Sequence, residues 1–432
     1  MYKIVEAFSG IGSQAKALNR IGVEYEIVST IEWDINAICA YDIIHNKERN
    51  DDFVKHFTKD ELVSLLSNYS LSVDGKSEMS SSSLKIYSVE TLQRLYASII
   101  RNNNLVSIKD VKGSDIHNDT DILTYSFPCQ DLSICGFWHG NQSGIERDAC
   151  NRSGMLWEVE RILLERYSQK LQMPKVLLME NVSNILSEVH RENFEEWKNV
   201  LESMGYYNKV YTLNAKDFGV PQNRIRVFMI SVLKGKFNDE YFDTYFKHNN
   251  LEKTKHCDSS DLQNLSNFLR LDYSDPRYLK EAIVSQPNNT PSRQKIFEDS
   301  IVLAKNNHVI SEYVSTLTTK QDRNPNSGII ETPPFSEGKS NYRNLTPREC
   351  FLLMGFDEAD FQAVIDNNFN VNKTRIFFTQ NKLIKMAGNS IVVNVLEEIF
   401  EQIDHLLNLM KYNSKGIEFR TNEYLHYEKK AI

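Results

Sequence analysis

Four groups able to do chemistry stand at the ends of apolar runs. The thiol of Cys129 follows DILTYSF and a rigid proline, Pro128. The carboxylate of Glu180 closes KVLLMEN, and the guanidinium groups of Arg224 and Arg226 lead from QNRIR into VFMISV. A guanidinium beside a thiol lowers its pKa, and beside a ligand it holds an anionic phosphate or a base oxygen. The fourth group is the turn FSGIGSQA, where Gly10 and Gly12 permit a tight bend and close approach of a ligand to the backbone. Roughly twenty residues later stand Glu32 and Trp33, at the distance where a carboxylate takes ribose hydroxyls. That turn and acid suit a dinucleotide as well as a single nucleoside. Singly, each group also has a plain reading as a turn glycine, a packed thiol, a capping acid or a surface charge. Their convergence is what argues for a site.

The elements that must position these groups alternate. YKIVEAF, YEIVSTIEW, DILTYSF, KVLLMEN, YNKVYTLN and RVFMISV read as strands, with helical patterns such as SQAKALNRI and WEVERILLERYSQKL among them. This rhythm indicates a parallel α/β sheet. Such a sheet binds ligands outside the carboxyl ends of its strands, so the thiol, the carboxylate and the glycine turn are expected along one edge. The helix from Trp157 carries Val159, Ile162, Leu163, Tyr167 and Leu171 on one face, as a helix covering a sheet requires. Between about 47 and 112 the pattern weakens, and SVDGKSEMSSSSLK reads as a flexible surface loop within an insertion, to which no chemistry is assigned. From about 236 to 340 the rhythm gives way to Asn-, Asp- and Ser-rich segments, marking a second domain. Order returns with LTPRECFLLMGF and the amphipathic VVNVLEEIFEQIDHLLNLM.

The chain of 432 residues has room for two or three domains of roughly 150 residues each. Its 41% hydrophobic and 25% charged content is ordinary for a globular protein, and no apolar run approaches the ~18 residues of a membrane helix. MYKIVEAFSG lacks the basic and apolar regions of a secretory signal, so a cytoplasmic location is expected. Six cysteines without a C-x-x-C pair or a nearby histidine pattern argue against a disulfide framework or structural zinc, and no metal is expected. A net charge of −8 speaks against a general coat of basic charge for nucleic acid, while leaving room for a local basic cleft.

Taken in order, FSGIG, EW, GSDI, PCQ, ENV, QNRIR, RNLTPRE and AGNSI make the chain closely resemble the bacterial DNA (cytosine-5-)-methyltransferases of type II restriction-modification systems, over about three quarters of its length. The resemblance implies an α/β, Rossmann-like S-adenosylmethionine-dependent methyltransferase domain with a smaller inserted target-recognition domain. The catalytic part would be 1–235 and 341–432, the recognition part 236–340, with the last helix rejoining the first domain. Cys129 would be the nucleophile that adds to C6 of a cytosine flipped out of the duplex, with Pro128 fixing its loop. Glu180 would hold or protonate N3, Arg226 would bond the base oxygen and Glu180, and Arg224 would steady the thiolate or a phosphate. S-adenosylmethionine would lie among Phe8, Ser9, Gly10, Gly12, Phe127 and Pro128, with Glu32 on the ribose and Trp33 beside the adenine. Asp115 would meet the adenine amino group, Ile116 would lie against the ring, and Asn389 and Ser390 would close the site.

The resemblance also implies double-stranded DNA as partner, touched by Gln130, Ser133, Gln222 and Arg343, with 144–152 moving onto it. Arg343, Thr346 and Glu349 would in addition organise the recognition domain. The protein would act as a monomer on DNA, alongside a separately encoded restriction endonuclease or as an orphan. An NAD-dependent oxidoreductase leaves Cys129, Glu180 and the arginine pair unexplained. Adenine-N6 methylation calls for an aspartate or asparagine before two prolines. Methylation of tRNA cytosine, the nearest rival, lacks its short Cys-Phe-Thr signature, and a non-catalytic DNA-binding relative has no need of intact Cys129, Glu180 and Arg226.

Overall fold

Apolar residues alternate along the strands, so one sheet divides them between two cores. The computed structural model of the chain describes residues 1–128, 153–253, 264–323, 325–372 and 375–413. Its strands in chain order are β1 (Tyr2–Ala7), β2 (Tyr25–Ile31), β3 (Ile122–Tyr125), β4 (Val176–Val182), β5 (Tyr206–Asn214), the two-residue β6 (Gln222–Asn223) and β7 (Ile225–Leu233). Six of them form a sheet in the order β2-β1-β3-β4-β7-β5. Ile4, Ile122, Leu178, Phe228 and Ile230 face one core, while Val5, Leu123, Leu177, Met179 and Met229 face the other.

Helices cover both faces. They are α1 (Ser13–Ile21), α2 (Ile35–His45), α3 (Val89–Arg101), α4 (Leu156–Ser168), α5 (Glu188–Ser203), α6 (Asp239–His248), α7 (Gln380–Asn389) and α8 (Val393–Asn413). Leu163 of α4 and Trp197 of α5 enter one core; Leu18 of α1 and Ile399 and Ile403 of α8 enter the other. Tyr2 donates to Asp404 on α8 at 2.7 Å, and Arg20 pairs with Glu397 at 3.0 Å, which fastens the last helix to the first strand and helix. No helix among the described residues is long and apolar enough to cross a membrane.

The sheet is not wholly parallel, as its sequence rhythm had suggested: β7 runs antiparallel to both β4 and β5. The ten residues between β5 and β7 are too few for a crossover, which takes a dozen or more, so the chain reverses at this edge. α6 then covers β5, with Tyr207 stacked on Phe242 at 5.0 Å. Further on, β8 (Val302–Lys305), β9 (His308–Val309), β11 (Ile329–Glu331) and β12 (Tyr342–Arg343) form a small sheet in the order β12-β11-β8-β9. The short strand β10 (Val314–Ser315) leaves it to pair with β6, Val314 opposite Gln222.

Candidate active site

The carboxyl ends of β1 to β4 open on one cavity of about 1360 Å³ including its mouth. Phe8, Gly10, Glu32, Trp33, Phe127, Pro128, Glu180, Arg224, Arg226 and Asn389 all line it. Cys129, Gln130, Ser133 and the segment 144–152 lie outside the described residues. Pro128, the last described residue before Cys129, lines the cavity.

The first turn is held by strain and by a carboxylate. Phe8 takes a left-handed φ of 57° while its amide donates to the Ile31 carbonyl at 2.8 Å. The amide of Gly10 donates to Glu32 Oε2 at 3.0 Å, and Glu32 Oε1 accepts from the Asp34 amide at 2.8 Å. With the Trp33 backbone also bonding this carboxylate, accepting capacity remains for a ligand hydroxyl. Burial, with Asp34 nearby, pushes the Glu32 carboxyl up to about 7 against the pull of those amides. Gly12 serves packing: a Cβ there would sit 2.2 Å from His45 Nε2, which itself donates to the Ile11 carbonyl at 3.0 Å. Ser9 is buried, its carbonyl accepting from the Gly12 amide, so Ser9 and Gly12 shape the turn without lining the cavity.

Glu180 and Arg226 meet diagonally across β4 and β7, where Glu180 is paired with Phe228 and Val182 with Arg226. Arg226 Nε lies 3.3 Å from Glu180 Oε1, and both side chains are largely buried. Burial raises the Glu180 pKa, and the two arginines, Arg226 foremost, pull it back. The carboxyl therefore holds a proton above the usual carboxylate range while a cation fixes its direction. Beside it at the end of β4 stands Asn181. Its Nδ2 donates to the Phe127 carbonyl at 3.2 Å and its Oδ1 accepts from the Val182 amide at 2.8 Å, so it fixes the backbone two positions before Cys129.

Several residues expected at the ligand have protein partners or lie away from the cavity. Arg224 lines the cavity, but its Nη atoms donate to the carbonyls of Leu317, Gly388 and Ser390 at 2.8, 3.1 and 3.0 Å, so the guanidinium is a clasp. Gln222 is fully buried; it donates to the Leu353 carbonyl at 2.7 Å and accepts from the Leu317 amide at 2.9 Å. Arg343 is likewise buried, both of its Nη atoms 2.8 Å from Glu349, so its work is structural. Asp115 is exposed and away from the cavity, where it caps a 3-10 turn by accepting from the Lys112 amide at 2.8 Å. Ile116 packs in a core and Ser390 donates to the Met386 carbonyl, and neither lines the cavity.

The wall expected from Asp115 and Ile116 is made by Val106, Ser107, Ile108 and Lys109. Asn104 sets their start by accepting from the Glu32 amide at 3.1 Å and donating to the Glu32 carbonyl at 3.0 Å. Arg161 on α4 holds the carbonyls of Ile108 and Val111 at 3.2 and 2.7 Å. Asp34, Asp74, Gly75 and Lys385 line the cavity too. A carboxylate with free lone pairs, open backbone at Gly10 and the apolar sides of Trp33 and Ile108 match the polar and flat parts of an adenosyl group. Among the described residues no cluster of side chains suits a metal ion.

Residues 57–405 match the family model described as C-5 cytosine-specific DNA methylase. The chain is 34% identical over 405 residues to "Orphan methyltransferase M.SssI" of Spiroplasma monobiae, covering 93% of this chain and 97% of that one. It is 33% identical over 407 residues to "Type II methyltransferase M2.ScrFI" of Lactococcus lactis subsp. cremoris, covering 93% and 99%. Among solved structures, the S. pombe Dnmt2 methyltransferase shares the fold with a TM-score of 0.58 at 18% identity, over 94% of this chain and 100% of that one.

Proposed function

The chain belongs to the C-5 cytosine-specific DNA methylase family and is a DNA cytosine-5 methyltransferase; from that premise we propose how its residues carry the reaction. The observation that carries the reading is the buried Glu180–Arg226 pair, facing the same cavity as Pro128.

C5 of cytosine is a poor nucleophile. Thiolate addition at C6 converts the ring to an enamine whose C5 can take a methyl group. Cys129 supplies that thiolate, and Pro128 with the Asn181-bound Phe127 carbonyl restricts where the sulfur stands. Glu180, whose pKa burial raises, holds or protonates N3 as charge builds on the ring, and Arg226 steers the carboxyl and takes the base oxygen. A base then removes the C5 proton, and elimination returns Cys129. The target ring lies within the stack of a duplex, so it must be flipped out to reach these groups, as methyltransferases of nucleobases require. S-adenosylmethionine, when bound, supplies the methyl group as an electrophile. Glu32 would accept its ribose hydroxyls, Trp33 and Ile108 would flank the adenine, and Gly10 and Asn389 would bound it.

Double-stranded DNA is the partner, read by residues 236–340, while 1–235 and 341–432 do the chemistry. The relatives' names include both orphan and type II enzymes, so a separately encoded endonuclease belongs to the same reading. Duplex DNA containing 5-fluorocytosine tests the mechanism, since fluorine cannot leave as a proton. The wild type should stay covalently bound and Cys129→Ala should not. A trapped complex with Cys129→Ala would sink the nucleophile assignment. Bisulfite sequencing of DNA from expressing cells would give the sequence context.

A further inference from the structure

The stretch expected to be a free surface loop in the insertion is built into the cavity instead. Asp74 and Gly75 line it, next to Trp33 and Asp34. The strand-end residues grip the turn from both sides of Asp34: the Ser72 amide donates to the Trp33 carbonyl at 2.8 Å and the Ile35 amide to the Ser72 carbonyl at 2.9 Å. Asn36 Nδ2 donates to the Val73 carbonyl at 3.0 Å. Ser72 is fully buried, and its hydroxyl donates to the Ser77 carbonyl at 2.6 Å. From the far end of the chain, Lys385 Nζ donates to Asp34 Oδ2 and to the Asp74 carbonyl, both at 2.6 Å. A Cβ at Gly75, whose φ is +65°, would stand 3.3 Å from that Nζ and 3.5 Å from Asp34 Oδ2, so glycine permits this close fit.

The turn engages a buried serine and a partly buried Lys385–Asp34 ion pair whose ammonium also holds the Asp74 carbonyl. We propose that the turn 72–78 of the insertion is a wall of the donor site and that Lys385 is the positioning residue that holds it there, so that the insertion sets the affinity for the adenosyl ligand. This rests on the donor reading above. The wall closes the end of the cavity where Glu32 and Trp33 meet the nucleoside. Lys385 acts through the turn: with its ammonium removed, Asp34 loses its counter-charge, the Asp74 carbonyl loses its donor, and the turn is freer to leave the ligand to water.

The experiment is calorimetric titration of the full chain with S-adenosylhomocysteine, a ligand that does not turn over, alongside hydrogen exchange with and without it. Lys385→Met should raise the Kd about tenfold or more. Asp74→Ala, which removes the acceptor of the Lys76 and Ser77 amides, should weaken binding in the same sense. It decides the matter should the first variant fail to fold. Ligand should slow exchange at the amides of 75–77 in the wild type, and DNA affinity measured without ligand should stay within roughly twofold in both variants. Variants that bind S-adenosylhomocysteine within roughly twofold of wild type, with exchange in the turn unmoved by ligand, would overturn the inference. A wild type that fails to bind it at all would instead remove the donor reading, and this inference with it.

Discussion

Replacing Asn181 by alanine tests whether the thiol is placed by its backbone. Asn181 is 1% exposed and makes two bonds, one to the Phe127 carbonyl at 3.2 Å and one from the Val182 amide at 2.8 Å. The variant leaves a carbonyl and an amide buried without that partner, at about 1–3 kcal/mol each, so roughly 2–6 kcal/mol is at stake. Part of this appears as lost stability. The part that matters chemically is the freedom gained by the backbone two positions before Cys129, since misplacement of a reacting atom by about 1 Å can cost on the order of a hundredfold. The assay is the single-turnover rate of covalent trapping on 5-fluorocytosine DNA, with saturating donor and DNA. Asn181→Ala should slow trapping roughly 10- to 100-fold, a barrier increase of about 1.4–2.7 kcal/mol, while donor and DNA affinities stay near wild type. Asn181→Asp should do no better, because it sets an acceptor against the Phe127 carbonyl and a second acid beside Glu180. A folded Asn181→Ala enzyme that traps DNA within about twofold of the wild-type rate would refute the reasoning.

Two further outcomes concern stability. Arg343→Met strands Glu349 in a fully buried pocket, which typically costs about 3–5 kcal/mol, so Tm should fall by several degrees. If the arginine touched a phosphate, the salt dependence of DNA binding would instead lose a slope of about 0.9, and that slope should stay unchanged. Glu6, fully buried on β1, has its carboxyl pushed up to about 7 by burial, with Tyr41 and Ala15 pulling weakly the other way. Because the folded pKa lies above the unfolded one, the native state holds the extra proton and stability falls as pH rises from about 4.5 to about 7. Urea unfolding at pH 5 and pH 8 should therefore show Glu6→Gln losing less stability than the wild type, by an amount on the order of 1–3 kcal/mol. Glu32 titrates over the same window in both proteins and cancels in that comparison.

The residues legible in the sequence were those whose place follows from topology alone. Gly10, Glu32, Pro128 and Glu180 end strands, and a sheet gathers strand ends on one edge whatever covers its faces. The adenine-side wall was not legible for a physical reason. SIKDV at 107–111 and GSDI at 113–116 both offer a serine, an isoleucine and an aspartate near the start of β3. What separates them is tertiary: Asn104 clamps the first stretch to Glu32, whereas Arg166 ties the second away by donating to the carbonyls of Gly113 and Ile116. The reversal at β7 was hidden in the same manner, since a strand's run of apolar residues carries no direction and only the shortness of the preceding link betrays it. The wall supplied by Asp74 and Gly75 depends on a partner 311 positions away, beyond the reach of any local pattern.

In QNRIR the polar side chains divide between holding the fold and facing the cavity. Its polar side chains look like groups waiting for a ligand, because a strand entrance is ordinarily exposed. Here the segment 314–317 folds over it, with Val314 paired to Gln222 and the Leu317 amide donating to the Gln222 side chain across 95 positions. Once covered, each polar atom must find a partner or forfeit its hydration, and the carbonyls of Leu317, Gly388 and Ser390 are the partners Arg224 finds. That arrangement requires arginine, since one planar fork reaches carbonyls from two chain segments at once, where a lysine ammonium would present a single point of charge. Gly388 completes the joint: a Cβ there would stand 2.5 Å from the backbone of Thr318, so the two segments meet main chain to main chain. Arg226, two residues on, is left with Glu180 as its ion-pair partner, and so of the two arginines it is the one whose charge remains directed at the cavity.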